Sequence, residues 1–160
     1  MKFREKVAYG FGDLACSMFW TLFSMFLLFF YTDVFGITAA AAGTMFLVAR
    51  LWDTANDPLM GMIADRTKTK YGKFRPYIIW LAIPFGVIGF FMFITPEFEA
   101  TGKIIYAYIT YTLMMMIYTA INVPYSALMG VITSNSLERT ELSSYRFVAA
   151  YVGLLIITGT

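Results

Sequence analysis

The stretch Arg50-Leu51-Trp52-Asp53-Thr54-Ala55-Asn56-Asp57-Pro58-Leu59-Met60-Gly61 places one arginine, one asparagine and two aspartates inside an otherwise hydrophobic segment. Arg50, Asp53 and Asp57 are three and four residues apart, so in a helix they project from one face. In a bilayer each charge near the middle of a helix costs about 2.5–3.5 kcal/mol, and three cost on the order of 10 kcal/mol. A membrane helix therefore tolerates them only where they face a protein interior or a wet cavity and bind something.

The composition indicates a membrane protein. Apolar residues make up 59% of the 160 residues, the mean hydropathy is +0.68 and only 14% of residues are charged, against about 25% in soluble domains. This composition predicts a polytopic, all-α integral membrane protein. One cysteine and no histidine exclude an intrachain disulfide, a His-based metal site and a His proton relay. The net charge of +2 gives no reason to expect a nucleic-acid partner.

Five hydrophobic segments predict about five transmembrane helices, and we treat residues 1–160 as one transmembrane bundle. The expected helices cover residues 9–31, 39–63, 76–94, 104–129 and 146–160. Pro76 suits the first turn of the third helix. The fifth segment has fewer than the roughly 20 residues that a span requires. The bundle is therefore expected to be incomplete, with the sequence cut off inside helix 5.

The basic residues predict the orientation in the membrane. Ten of the twelve lysines and arginines fall on one side under alternating topology, with only Lys103 on the other side and Arg50 within a helix. The positive-inside rule therefore puts the amino terminus in the cytoplasm. The apolar run 14–31 is too long for the hydrophobic part of a signal peptide, so we interpret it as an uncleaved first helix.

Several motifs resemble one family of transporters. Gly61-x-x-x-Asp65-Arg66 followed by Lys70-x-Gly72-Lys73 resembles the loop between helices 2 and 3 of major facilitator transporters. Seven further motifs are similar to those of the glycoside–pentoside–hexuronide:cation symporters, the melibiose-permease relatives. They are Tyr9-Gly10-Phe11-Gly12, Tyr31-Thr32-Asp33-Val34, Phe46-Leu47-Val48-Ala49-Arg50, Asn56-Asp57-Pro58, Gly72-Lys73-Phe74-Arg75-Pro76, Asn122-Val123-Pro124-Tyr125 and residues 139–146. The resemblance covers essentially the whole chain.

This resemblance implies a major facilitator fold of twelve helices in two bundles, with the sugar and cation bound between them. The chain would supply not quite one amino-terminal bundle, and the carboxy-terminal half would be a missing partner. Such transporters hold their substrate near the bilayer midplane and rock one half against the other. The implied location is a bacterial inner membrane, with membrane lipid as a further partner.

The resemblance also implies a cation site made of Asp53, Asn56, Asp57 and Thr119. Paired carboxylates with neutral oxygens suit Na⁺, Li⁺ or H⁺ in a partly dry site. The coupling cation is then a substrate rather than a resident cofactor. The alternative is that Arg50 neutralises one aspartate in an ion pair that only holds helices together.

The implied sugar site is less close to the melibiose permease. Ser17 and Asn122 stand where that permease has aspartates, and Ser126 stands at an aromatic stacking position with Tyr125 beside it. Neutral groups hold sugar hydroxyls more weakly than carboxylates, which leaves a pentoside, a β-glycoside or a hexuronide open. Asp13 and Arg146 are two further candidates for the sugar site. The alternative for Asp13 is a helix-end residue, and the alternative for Arg146 is a positive-inside anchor.

A gate or latch is implied at the basic loop between the second and third expected helices, residues 65–75. Its expected members are Arg50, Gly61, Asp65, Arg66, Lys73 and Arg75. A charge network at helix ends would stabilise one conformation of the transporter. The alternative is that the loop is only a topology anchor.

The resulting interpretation is a cation-coupled sugar symporter. Two alternatives stay open: the same fold carrying a lysophospholipid, and a membrane subunit whose charges serve only interactions between proteins. We do not expect an enzyme, because the sequence has no nucleophile–base pair, metal cluster or phosphate-binding glycine loop in a plausible context.

Overall fold

The computed structural model describes residues 3–159, which form helices and loops and contain no strand. The all-α prediction is therefore confirmed. The helices are α1 (Phe3–Phe29), which continues as a π-helical turn (Phe30–Val34), α2 (Ala39–Arg66), α3 (Arg75–Met92), α4 (Ala100–Ile132) and α5 (Ser136–Thr158).

Four of these helices are long and apolar enough to cross a membrane: α1 with its π-helical turn, α3, α4 and α5. The fifth, α2, has 28 residues, but the charges within it lower its hydropathy. Many large apolar side chains are exposed, with Ile83 at 75% and Phe90 at 69%. Exposed apolar surface of this kind is what a lipid solvent accommodates.

The helix ends differ from the expected ones, most of all in α5. This helix begins at Ser136 rather than near Arg146, so residues 136–145, which lie between the fourth and fifth expected helices, are helical. The Asn135 side chain accepts a hydrogen bond from the Leu137 amide at 2.9 Å and caps the helix. Hydropathy marks only the apolar part of a helix, whereas capping residues and polar turns extend it beyond that part. For the same reason α1 already starts at Phe3.

The chain divides into two compact units. The first unit contains α1 and α5 and is called the α1–α5 unit. It consists of the described residues up to Leu27 and from Ser126 onward. The second, called the α2–α4 unit, is Leu28–Tyr125 and contains α2, α3 and most of α4. In the α1–α5 unit, a Cβ at Gly153 would lie only 2.8 Å from the Leu14 carbonyl oxygen. Glycine therefore allows α5 to approach the backbone of α1 closely.

The α2–α4 unit is held together at one end by an aromatic cluster, Tyr31, Phe35, Phe46, Tyr106 and Tyr111. The Lys103 ammonium donates to the Phe35 carbonyl oxygen at 3.2 Å and thereby ties α4 to the end of the π-helical turn. Thr38 then caps α2, its hydroxyl accepting from the Ala41 amide. At the opposite end Pro76 lies in the first turn of α3, as predicted.

Candidate functional site

The charged face of α2 lies within the α2–α4 unit. Arg50 and Asp57 are exposed, whereas Asp53 and Asn56 are half-buried. Asp57 and Arg50 lie close enough to Asp53 to act on its charge, one repelling and the other attracting it. The structure therefore brings together the three charges that the helical spacing predicts on one face.

Asp53 is the unusual member of this group. Its Oδ1 atom is buried and has no hydrogen-bond partner in residues 3–159. Buried polar atoms are nearly always paired in native proteins, and an unsatisfied carboxylate oxygen carries a large desolvation cost. A bound cation or a water molecule is the kind of partner that can satisfy it. The nearby guanidinium of Arg50 does not hydrogen-bond this oxygen.

Helix α4 runs beside α2 in this unit. Tyr111 is close enough to Arg50 and Asp53 to feel their charges, and a Cβ at Gly61 would lie 3.9 Å from the Val123 side chain. Tyr111 and Val123 of α4 are therefore both near α2. Thr119, which is buried, lies between these two positions of α4.

The predicted sugar residues are divided between the two units. Asn122, which is half-buried, and Tyr125, which is buried, belong to the α2–α4 unit, whereas Asp13, Ser17, Ser126 and Arg146 belong to the α1–α5 unit.

Asp13 and Arg146 form an ion pair inside the α1–α5 unit. The Arg146 Nε donates to Asp13 Oδ2, and its Nη2 donates to Oδ1 at 3.1 Å. The side chains are only 16% and 20% exposed, and the guanidinium also lies 5.8 Å from the centroid of the Tyr9 ring. Both carboxylate oxygens accept from Arg146, a bidentate geometry that is among the stronger side-chain interactions. Sequence reasoning treated the two residues separately and missed the pair.

Ser17 is also engaged within its unit. Its hydroxyl donates to the Ala150 carbonyl oxygen at 2.8 Å, so only its lone pairs are left to accept a further hydrogen bond. Ser126 is exposed. A cavity of about 200 Å³ also lies between α1 and α5. Its lining is almost entirely apolar, including Val7, Leu14 and Val152, which does not suit a sugar.

Four of the six predicted gate residues lie at the α2–α3 connection, whereas Arg50 and Gly61 lie within α2. Asp65 and Arg66 end α2, and Lys73 and Arg75 lie beside the start of α3, all four exposed. The turn between them is shaped by Gly72, whose φ of +95° favours glycine. The Thr67 and Tyr77 hydroxyls lie 2.6 Å apart and tie the two ends of the connection together. Sequence reasoning missed this pair, although Thr67 lies in the basic loop and Tyr77 lies just after it.

No group of three His, Cys, Asp or Glu side chains able to hold a metal ion is found in the described part of the chain. The chemistry available at α2 is thus that of two carboxylates with neutral amide and hydroxyl oxygens, a donor set suited to an alkali cation or a proton.

Comparison with known proteins identifies the family. The family described as MFS/sugar transport protein matches residues 8–159. A protein of Escherichia coli (strain K12) named "Putative glycoside/cation symporter YagG" is 51% identical over 98% of this chain. The inner membrane symporter YicJ of the same strain is 48% identical over 97%. The isoprimeverose transporter of Lactiplantibacillus pentosus is 42% identical over 96%.

The chain spans about a third of the length of these relatives, 34%, 34% and 32% respectively. The family and these relatives are transporters rather than enzymes. With its membrane-spanning helices, this is an integral membrane protein. The chain belongs to the MFS/sugar transport protein family, as its resemblance to the glycoside–pentoside–hexuronide:cation symporters predicts.

Proposed function

We propose that the protein containing this chain carries out symport of a sugar with a cation by alternating access across the bacterial inner membrane. A glycoside, a pentoside or a hexuronide is the cargo, and Na⁺, Li⁺ or H⁺ is the coupling cation. Relatives named as a glycoside/cation symporter and as an isoprimeverose transporter support this class of cargo. Under this proposal the amino terminus is cytoplasmic and Asp65, Arg66, Lys73 and Arg75 belong to an inner gate.

The single observation that carries the proposal is the buried, unpaired Oδ1 of Asp53 next to a second carboxylate, Asp57, in a membrane protein. A purely structural charge should be paired, as Asp13 is with Arg146. We assign Asp53 and Asp57 as the charged cation ligands, with Asn56 and Thr119 as neutral ones. Arg50 lies in the field of Asp53 and limits the repulsion between the carboxylates when no cation is bound.

A cation bound between the two carboxylates relieves their mutual repulsion. Closing the protein around the sugar then becomes easier, so cation and sugar each raise the affinity for the other. Coupling of this kind is typically about 5- to 150-fold in affinity.

The sugar contacts follow from the family resemblance. Ser17 on α1 supplies a hydroxyl and Asn122 on α4 supplies an amide where the melibiose permease has carboxylates, and Tyr125 and Ser126 follow Asn122 along α4. Because Asp13 and Arg146 hold each other, we infer that they shape the sugar-facing part of α1 and α5 as a pair. A cargo other than melibiose, with a pentoside as the first candidate, is the expected preference.

The test is Asp57→Asn in the full-length transporter. This change removes one charge with little change in shape, so cation stimulation of sugar binding should be lost while weak, cation-independent binding persists. Sugar affinity is measured by equilibrium binding with and without the cation. Asp33→Asn is the matched control, because this exposed carboxylate of the same unit accepts a local hydrogen bond from Thr32 and is not one of the assigned ligands. Normal cation-stimulated affinity and concentrative uptake in Asp57→Asn would refute the site.

A further inference from the structure

The α2–α3 connection, residues 65–75, carries a surplus of positive charge. Five basic side chains outnumber one acidic side chain, which leaves four positive charges in excess. The basic side chains are those of Arg66, Lys68, Lys70, Lys73 and Arg75. All five are exposed, and none of them forms an ion pair within residues 3–159. The connection therefore presents a surface that suits an anionic partner.

The α2–α3 connection is folded into a defined turn. The Gly72 amide donates to the Thr69 carbonyl oxygen at 3.0 Å, and the Thr69 hydroxyl donates to the Gly72 carbonyl oxygen at 2.8 Å. The Phe74 side chain is buried beneath the turn, and the Thr67 and Tyr77 hydroxyls join its two ends. A topology anchor requires only the number of positive charges. A fixed turn also gives these charges defined positions, which a binding site requires.

An exposed apolar face of α3 continues from the basic residues into the membrane. Four apolar side chains follow Arg75 at helical spacing, so they lie on one face of the helix. They form what we call the α3 stripe, which consists of Ile79, Ile83, Val87 and Phe90, all exposed. Only two of the 18 residues of α3 are buried. The stripe is therefore open to lipid along most of the helix.

Aromatic side chains mark the level of the membrane surface between the basic residues and the α3 stripe. Trp80 is 63% exposed and lies three residues before Ile83, beside the stripe. It is about 7.5 Å along the helix axis from Arg75. Tyr71 in the connection is 49% exposed. Tryptophan and tyrosine concentrate at the membrane–water interface. Basic, aromatic and apolar groups thus follow one another in the order in which a phospholipid presents its phosphate, its ester groups and its acyl chains.

We propose that the α2–α3 connection and the α3 stripe bind an anionic phospholipid of the surrounding membrane. Its phosphate lies among Lys70, Lys73 and Arg75, and one of its acyl chains lies along the stripe. Lysine and arginine bind phosphate oxygens with charge-assisted hydrogen bonds. Each basic residue next to a membrane helix raises the affinity for an anionic lipid surface about fivefold. This inference goes beyond the proposed transport function and depends on neither its cargo nor its cation.

The experiment places the full-length transporter in bilayers that mix phosphatidylglycerol, which is anionic, with phosphatidylcholine, which is zwitterionic. One of the two lipids carries brominated acyl chains, which quench tryptophan fluorescence on contact. Trp80 is the reporter, with every other tryptophan replaced by phenylalanine. The dependence of quenching on lipid composition gives the affinity of phosphatidylglycerol relative to phosphatidylcholine at the α3 stripe.

We expect phosphatidylglycerol to bind the parent protein on the order of tenfold more tightly than phosphatidylcholine, from two or more basic contacts. Lys70→Gln should lower this preference about fivefold, and Lys70→Gln/Lys73→Gln/Arg75→Gln should abolish it. Arg4→Gln is the matched control, because it removes one exposed positive charge from the start of α1, in the other unit. It should leave the preference unchanged.

Equal quenching by the two lipids in the parent protein, or a preference that survives in the triple variant, would overturn the lipid site. A loss in Arg4→Gln as large as that in Lys70→Gln would show that the whole charged surface attracts the lipid and that α3 has no site of its own. The absence of quenching by either brominated lipid would show that protein covers the α3 stripe, which also overturns the proposal. Lys70 is not a member of the proposed inner gate, so its result does not depend on that gate.

Discussion

The two units of the chain treat buried charge in opposite ways. In the α1–α5 unit, Asp13 is held by both arms of the Arg146 guanidinium. In the α2–α4 unit, Asp53 has an arginine within electrostatic range and yet keeps one buried oxygen without a hydrogen bond. A charge whose hydrogen bonds are complete inside the protein contributes to the fold. A charge whose hydrogen bonds are incomplete is available to an exchangeable ligand, and this difference separates structural from functional carboxylates here.

The largest expected effect comes from breaking the completed pair. Arg146→Ala leaves the Asp13 carboxylate without its partner, and truncating one member of a buried ion pair typically costs about 3–5 kcal/mol. We expect a loss of stability near the lower end of this range, because both side chains keep some exposure. Thermal unfolding of the detergent-solubilised full-length protein measures it.

The control for this change is the double variant Asp13→Asn/Arg146→Gln, which removes both charges and should recover most of the lost stability. Equal losses in the single and double variants would show that Arg146 acts alone and that the Asp13 carboxylate does not depend on it as a partner.

An intermediate effect is expected from helix packing, which also differs between the units. Gly153→Ala would put a Cβ 2.8 Å from the Leu14 carbonyl oxygen, and overpacking of this kind typically costs about 1–3 kcal/mol. Gly86→Ala in α3 is the matched control, because a Cβ there has no neighbour within 4 Å.

The control should be neutral or stabilising by up to about 1 kcal/mol, from the better helix propensity of alanine. Both values come from thermal unfolding. A Gly153→Ala protein as stable as Gly86→Ala would show that α1 and α5 do not require this close approach.

The smallest effect, and the one of opposite sign, is expected at Asp53. Asp53→Asn replaces a partly desolvated carboxylate by a neutral amide, so in choline buffer without alkali cation it should stabilise the protein by about 1 kcal/mol, the lower end of the penalty for an unsatisfied buried group. Adding Na⁺ should stabilise the parent by mass action and leave the variant unchanged. Destabilisation in choline buffer would place Asp53 in the same class as Asp13.

Much of the fold was predictable from the sequence, because hydropathy and charge decide which segments cross a bilayer. The position of the polar face of α2 was predictable too, since Arg50, Asp53 and Asp57 follow the helical repeat. The beginning of α5 was less predictable, because Asn135 and the polar turns that follow it extend the helix beyond its apolar part. The Asp13–Arg146 pair was out of reach. It joins residues 133 positions apart, and no local pattern in the sequence records such a contact.

The site could be predicted only in part, for the same physical reason. A family motif indicates which residues bind, but it does not say which of their atoms lack a partner. Tyr31 belongs to a motif quoted for the resemblance, Tyr31-Thr32-Asp33-Val34, and carried no assigned role. Its ring packs against Phe35 and Phe46, and the motif itself does not record these contacts.

The Asp13–Arg146 pair also sets an order of events during synthesis. Asp13 enters the membrane with α1, whereas Arg146 is made 133 residues later. Until α5 arrives, a carboxylate in the first helix has no guanidinium to neutralise it, and an unpaired charge of this kind opposes stable insertion. We therefore predict that α1 reaches its final position in the membrane only after α5 has been made. A nascent chain stalled before Arg146 would keep α1 close to the insertion machinery.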